Sequence, residues 1–251
     1  MARQKGVIKL EGRIGDLSFY KSGGDYLARS KGGVDGDRIK NDPAFARTRE
    51  NGEEFGRAGK ASKLLRNALK VPISKSADNR VASRLTTNLL KVIKADTTNK
   101  RGERTVLAGD LSLLQGFEFN RNNGLDDMVK VAHTVGFDRA TGQATVVVDF
   151  ANPSLELVKV EGGDVVRFTV GVAAVDFENN EYEVDVVQSD AVATGSTDPV
   201  EVNITSSVSA GSTLPVFVVL GAEYYQEVNG EYYLINSQES RALAMIAIDT
   251  P

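Results

Sequence analysis

The chain contains no cysteine, no tryptophan, one histidine and six prolines among its 251 residues. Each scarcity removes a class of chemistry. Without cysteine there is no disulfide framework, no thiolate metal site and no cysteine nucleophile. The length is ample to bury a core without such staples, and a reducing compartment suits the composition. One histidine, His133, cannot build a histidine-rich metal centre. No nucleophile elbow accompanies it, and inside the strand-like run 130–135 it reads as a hydrogen-bonded structural side chain. Long apolar runs are also missing. The longest, 214–220, has the length of a strand, far below the ~18 residues that cross a bilayer. No apolar segment follows the charged start Met1-Ala2-Arg3-Gln4-Lys5-Gly6, so no secretory signal is read. The expectation is a protein of the cytoplasm, or of a particle assembled there, with no membrane partner.

Motifs for catalysis fail one by one. Gly12-Arg13-Ile14-Gly15 and Gly32-Gly33 lack the Gly-Lys-Ser/Thr ending of a phosphate loop, and no strand–glycine–helix unit of dinucleotide type occurs. Asp126, Asp127, Glu181, Glu183 and Asp185 sit at turns or on alternating strand positions, the pattern of a solvated sheet face. Paired glycosidase carboxylates must instead face each other across a substrate. Asp176-Phe177-Glu178-Asn179-Asn180 lacks the glycine and the terminal glutamate of a calcium loop. No catalytic residue, metal ligand or cofactor is therefore assigned, and the chain is read as a non-enzyme.

What is present is charge, unevenly spread. The formal net charge is −4. Residues 1–104 hold 24 Lys and Arg against 12 Asp and Glu, a net +12. Residues 105–251 hold 6 against 22, a net −16. Such asymmetry bears on association. It allows two solvated faces on one monomer, head-to-tail attraction between copies, or contact with nucleic acid. The last is weakened because Asp42, Glu50, Glu53 and Glu54 dilute the basic helix face and no nucleic-acid-binding motif appears.

The hydrophobic period divides the chain into three expected segments: 1–40, 41–104 and 105–251. In the first, Leu17-Ser18-Phe19-Tyr20 and Tyr26-Leu27-Ala28 flank a glycine turn at Ser22-Gly23-Gly24-Asp25, which predicts a β-hairpin arm. A hairpin of that size is marginal alone. Glycines 32, 33 and 36 suggest a flexible connector. Asn41-Asp42-Pro43 is a helix start, with Asp42 as cap and Pro43 at the first turn. The predicted helix runs to about Leu69 and stops at Pro72. It carries Phe45, Thr48, Gly52, Phe55, Gly59, Ser62, Leu65 and Leu69 at three-or-four spacing, with Gly56 as a further interior glycine. Each interior glycine costs about 1 kcal/mol against alanine, so close approach of another backbone is expected there. A second helix is predicted over 78–95, with Val81, Leu85, Leu89 and Val92 as its apolar stripe. The short link between the two predicts a helical hairpin.

From residue 105 the period becomes two. Strand-like runs occur at 105–107, 111–114, 116–120, 129–137, 143–150, 155–160, 165–177, 182–187, 200–206, 215–225, 232–236 and 242–248. So many short strands predict an antiparallel sandwich, immunoglobulin-like or jelly-roll-like, and the chain as a whole is α+β. Tyr225 and Tyr233, beside the Asn229-Gly230 turn, are candidate ligand-facing aromatics for a glycan or protein.

The opening Ala2-Arg3-Gln4-Lys5-Gly6, with 14–21 (Ile-Gly-Asp-Leu-Ser-Phe-Tyr-Lys) and 41–52 (Asn-Asp-Pro-Ala-Phe-Ala-Arg-Thr-Arg-Glu-Asn-Gly), resembles a family of uncharacterised Bacteroidota proteins. The resemblance spans roughly residues 1–70 and is diffuse beyond. It implies no activity, substrate or site residue, only that the N-terminal part is diagnostic and the sandwich varies. The reading that joins these features is a self-assembling structural subunit, with itself or another structural protein as partner. Its expected interface residues are Phe19, Tyr20, Tyr26, Phe45, Gly52, Phe55, Gly56 and Gly59. A glycan- or protein-binding sandwich and a nucleic-acid-binding N-terminal half are the alternatives.

Overall fold

The computed structural model describes residues 2–30 and 34–251, so Gly32 and Gly33 of the expected connector lie outside the described residues. The chain is α+β and divides into two compact units, Met1–Glu50 and Asn51–Pro251. The expected boundary near 104 therefore does not coincide with the structural division. Residues 51–104 belong with the sandwich.

The N-terminal unit is a small antiparallel sheet of β1 (Ala2–Arg3), β2 (Gly12–Ile14), β3 (Leu17–Ser22) and β4 (Asp25–Ser30). Its strand order is β1-β4-β3-β2. The expected hairpin is β3–β4, closed by Gly23 and Gly24 at positive φ. Helix α1 (Gly36–Asn41) follows, capped by the Asp35 side chain on the Asp37 N–H, so the connector is partly helical. Asp42 then caps a 3-10 turn at Pro43–Phe45 by accepting from the Ala44 N–H at 2.9 Å, and α2 (Ala46–Ala68) begins. The cap was legible in sequence because aspartate before proline satisfies an orphan N–H that the helix cannot.

Helix α2 is continuous through its three glycines and ends at Ala68. The backbone resumes at once in α3 (Lys70–Ser76), with Pro72 inside its first turn. Pro72 thus does not stop the helical path; proline is tolerated where the N–H lacks a partner anyway. Helix α4 (Val81–Lys94) closes the helical hairpin, and the Ser62 hydroxyl reaches the Ala82 carbonyl across it.

The rest of the second unit comprises α5 (Leu125–Met128), β5 (His133–Asp138), β6 (Gln143–Phe150), α6 (Pro153–Glu156), β7 (Val165–Asp176), β8 (Glu181–Gln188), β9 (Val192–Ala193), β10 (Val200–Ser207), β11 (Val216–Val228), β12 (Glu231–Leu234) and β13 (Arg241–Asp249). Four expected strands are otherwise, and residues 116–120 hold only one isolated bridge, Glu118–Ala244. Residues 111–114 form a 3-10 turn capped by Asp110. Residues 155–160 contain the end of α6 and one isolated bridge, Val129–Leu157, because Pro153 favours a helix start. Residues 105–107 lie outside any strand.

Strands β12-β11-β7-β8, with β13 on β11 and β9 on β7, form the large sheet; β10-β6-β5 forms the small one. Alternation divides the large sheet between two cores. Phe168, Val170, Val172, Val216, Val218, Leu220 and Tyr224 pack toward the small sheet with Val146, Val148 and Phe150. Ala173, Val175, Phe217, Val219, Leu243 and Met245 pack toward Leu65, Leu69, Leu85, Leu89 and Ile93 of the helices. The unit is thus layered, helices on one face of the large sheet and the small sheet on the other. Gly109 lets the 105–110 loop rest on α4, since a Cβ there would lie 2.2 Å from the Val92 carbonyl oxygen.

Candidate interaction surfaces

Polar groups buried in the second unit are bonded as staples. The Glu223 carboxylate is fully buried between α3 and the large sheet. It accepts from Thr169 Oγ1 and Gln188 Nε2, each at 3.0 Å, and from Ser76 Oγ at 3.4 Å. Burial pushes its pKa up, and Lys75 and these hydrogen bonds only partly offset that. Burial also opposes ionisation of Asp78 and Asp96, but hydrogen bonds win and hold both carboxyls below the usual range. Asp78 accepts from the N–H groups of Arg80 and Arg121 and from Arg84. Asp96 accepts from Asn99, Thr98 and the Thr105 N–H. Asp176 likewise accepts from Asn179 and Glu178, which makes it the turn residue between β7 and β8. Among the described residues, no group of three or more His, Cys, Asp or Glu is arranged to hold a metal. His133 is a half-buried strand residue paired with Val148. No described helix is long and apolar enough to cross a membrane.

Glu118 shifts upward, as Glu223 does. Burial, with Asp126 and Asp127 nearby, raises it to about 7, although the Leu125 N–H and Arg84 oppose the shift.

The expected interface residues fall in two places. Phe19, Tyr20 and Tyr26 are half-buried in the N-terminal sheet, and Phe45 is half-buried beneath the Arg38 guanidinium in the same unit. Register sorts this sheet into two faces. One carries Ile14, Leu17, Phe19, Tyr26 and Ala28. The other carries Tyr20, Leu27, Arg29, Arg3 and Asp25, tied by the Arg3–Asp25 ion pair and by Arg29 over the Tyr20 ring. Ile14 and Leu17 are 60% and 45% exposed. Among the described residues up to Glu50, not one is buried. Sequence reading named the aromatics of this sheet but missed Ile14 and Leu17, whose place beside Phe19 depends on the β2–β3 register.

The second place is α2. Gly52, Phe55 and Gly56 are exposed and Gly59 is half-exposed, and a Cβ added at any of the three glycines meets nothing within 4 Å. The expected close approach is therefore not made within the chain. Phe55 is 58% exposed, beside a groove lined by Leu90, Lys94, Arg101 and Arg104. The Glu54 carboxylate, buried below, accepts from the Gly102 N–H at 2.9 Å.

The tyrosine pair separates. Tyr225 is 8% exposed, with its hydroxyl bonded to Gln188 and its ring under Arg167, so it is not ligand-facing. Tyr233 is 59% exposed. Strand phase decides this: Tyr225 pairs with Leu234 while Tyr233 pairs with Gln226, on the opposite face.

No protein-family model matches this chain. No curated protein matches it either. One solved structure, described as concerning pH-induced modulation of Streptococcus parasanguinis adhesion by Fap1 fimbriae, is similar over 45% of this chain and 78% of that one. The identity is 12% and the TM-score 0.22, too low to carry an argument about fold or function.

Proposed function

We propose that the chain is a non-enzymatic structural subunit that assembles into a multi-copy object such as a filament, tube or phage-like particle, docked through its N-terminal unit and complementary charge. One observation carries this reading: a four-stranded sheet in which no described residue is buried. Ordering a residue's backbone costs about 1–2 kcal/mol, and apolar burial is the main term that offsets it. A sheet without buried side chains gains little of that term by itself, so a surface of another molecule supplies it. The open glycine face of α2 and the charge asymmetry support the same reading. Light scattering and negative-stain microscopy at low and high salt test it. Assembly that weakens with salt is expected, and a monodisperse monomer at high concentration in low salt would refute it. The rival reading, a glycan-binding sandwich, retains Tyr233 but not the buried Tyr225.

A further inference from the structure

The self-assembly reading leaves open what the N-terminal sheet docks on. Its apolar face has a defined chemistry. Ile14, Leu17, Phe19 and Tyr26 share it, and the Lys9 and Lys21 ammonium groups stand 5.9 and 5.4 Å from the Tyr26 ring centroid. Two such faces pressed together would juxtapose four lysines, so a face-to-face dimer is disfavoured. The face fits a partner that is apolar and acidic together.

The second unit carries such a surface at the β11–β12 hairpin. β12 is a terminal strand of the large sheet. Val228 pairs with Glu231, and Gln226 with Tyr233, so Val228, Glu231 and Tyr233 share one side of the hairpin. Val228 and Tyr233 are 43% and 59% exposed. Glu231 is exposed on that side, Glu227 lies on the other with Tyr232, and residues 224–234 contain no Lys or Arg. Arg167 lies over Tyr232, a ring on the opposite side. Other exposed apolar residues of the unit that have acidic neighbours, such as Tyr182 between Glu181 and Glu183 or Leu155 before Glu156, offer a single side chain.

We propose, resting on the self-assembly reading, that the Ile14–Leu17–Phe19–Tyr26 face docks on the Val228–Tyr233 side of the β11–β12 hairpin of a second copy, with Lys9 and Lys21 toward Glu231. The two surfaces differ, so the contact is heterologous and each docked copy presents a free hairpin or a free sheet for the next. Such contacts propagate into rings or open fibres rather than closing as a two-fold dimer. The aromatic and aliphatic groups supply the anchor, and the attraction of the two lysines to Glu231 fixes the partner and speeds encounter.

The full-length chain tests this with two single substitutions, Leu17→Glu and Tyr233→Glu, each at an exposed position. Assembly is followed by light scattering and analytical ultracentrifugation, with far-UV circular dichroism to check folding. Each variant alone is expected to lose assembly by about tenfold or more in the concentration required. Mixed, the two are expected to form a 1:1 dimer and nothing larger. The intact sheet of the Tyr233→Glu chain meets the intact hairpin of the Leu17→Glu chain, and both remaining ends are blocked. That dimer needs the hairpin unit of one variant and the N-terminal sheet of the other, so its formation excludes global misfolding as the cause of lost assembly, and circular dichroism checks the substituted elements. Zero-length carbodiimide cross-linking of mixed heavy- and light-isotope wild-type chains should join Lys9 or Lys21 to Glu231 of the other copy. Wild-type assembly with no loss in either variant, absence of the mixed dimer, or cross-links of the two lysines only within one chain or to carboxylates elsewhere would overturn the docking while leaving self-assembly standing. A wild-type chain that never assembles would overturn both.

Discussion

Severing the chain at the point where its charge changes sign gives a direct test of the layered unit. The fragment 105–251 holds all strands of the sandwich and the acidic excess. Five large side chains of its sheet, Val175, Phe217, Val219, Leu243 and Met245, are completely buried in the core shared with the helices. Each is worth about 1.5–3 kcal/mol when fully buried. Together they represent roughly 8–15 kcal/mol, before any cost of exposing Glu223. That matches the whole net stability of a typical domain, about 5–15 kcal/mol. The fragment is therefore expected to be unfolded or aggregated, with poor dispersion in an amide proton–nitrogen NMR spectrum and strong binding of a hydrophobic dye. The longer fragment 51–251 retains both cores and is expected to unfold in one cooperative step. A 105–251 fragment that folds cooperatively, with stability close to that of 51–251, would refute the argument that the helices complete the core.

Other substitutions probe single interactions. Asp78→Ala leaves the mostly buried Arg84 without its carboxylate and two backbone N–H groups without an acceptor, so a loss of about 3–5 kcal/mol is expected in urea unfolding. In the wild-type chain this contribution is fully present above the unfolded aspartate pKa and is lost as acid titrates the depressed folded one. Glu118 works in the opposite sense. Its carboxyl is raised from 4.5 to about 7 in the folded state, so stability falls as pH rises through that window and levels off above it. Glu118 is half-buried, and with solvent screening the loss is about 1–2 kcal/mol. Glu118→Gln should flatten the stability profile between those pH values; an unchanged slope would refute the assignment. Gly56→Ala in α2, where a Cβ meets nothing within 4 Å, should raise thermal stability by up to about 1 kcal/mol. Gly109→Ala, with a Cβ 2.2 Å from a carbonyl oxygen, should lower it. Equal effects at the two glycines would contradict the packing described.

Local chemistry was legible wherever one residue or one short pattern decides the outcome. The Asp42 cap, the turn at Gly23-Gly24 and the stripe of α4 are of this type. The strand 143–150 also coincides with β6, because its apolar positions face one core and its partners hold it on both sides. Leu155 through Val160 shows the limit. Its composition suits a strand, but Pro153 starts a helical turn and no neighbouring strand extends the single bridge. Candidate interface residues divided in the same way. Phe55 and Tyr233 remain exposed, whereas Tyr225 is withdrawn by the phase of its strand. Ile14 and Leu17 joined the apolar face only through pairing.

By itself the sequence determined the periodic elements, the caps and turns, the absence of cysteine chemistry and the opposition of charge between the two ends. These follow from properties of single residues and of neighbours within a turn or two. Only the tertiary structure decided which apolar face meets which. The charge boundary at 104 records the solvent side of the helices. Their other side is apolar and shares a core with the sheet, so the compact unit begins at Asn51 instead. Burial is a relation between distant segments. Strand register and the choice of packing partner fix it, and neither is written in the period of a single segment.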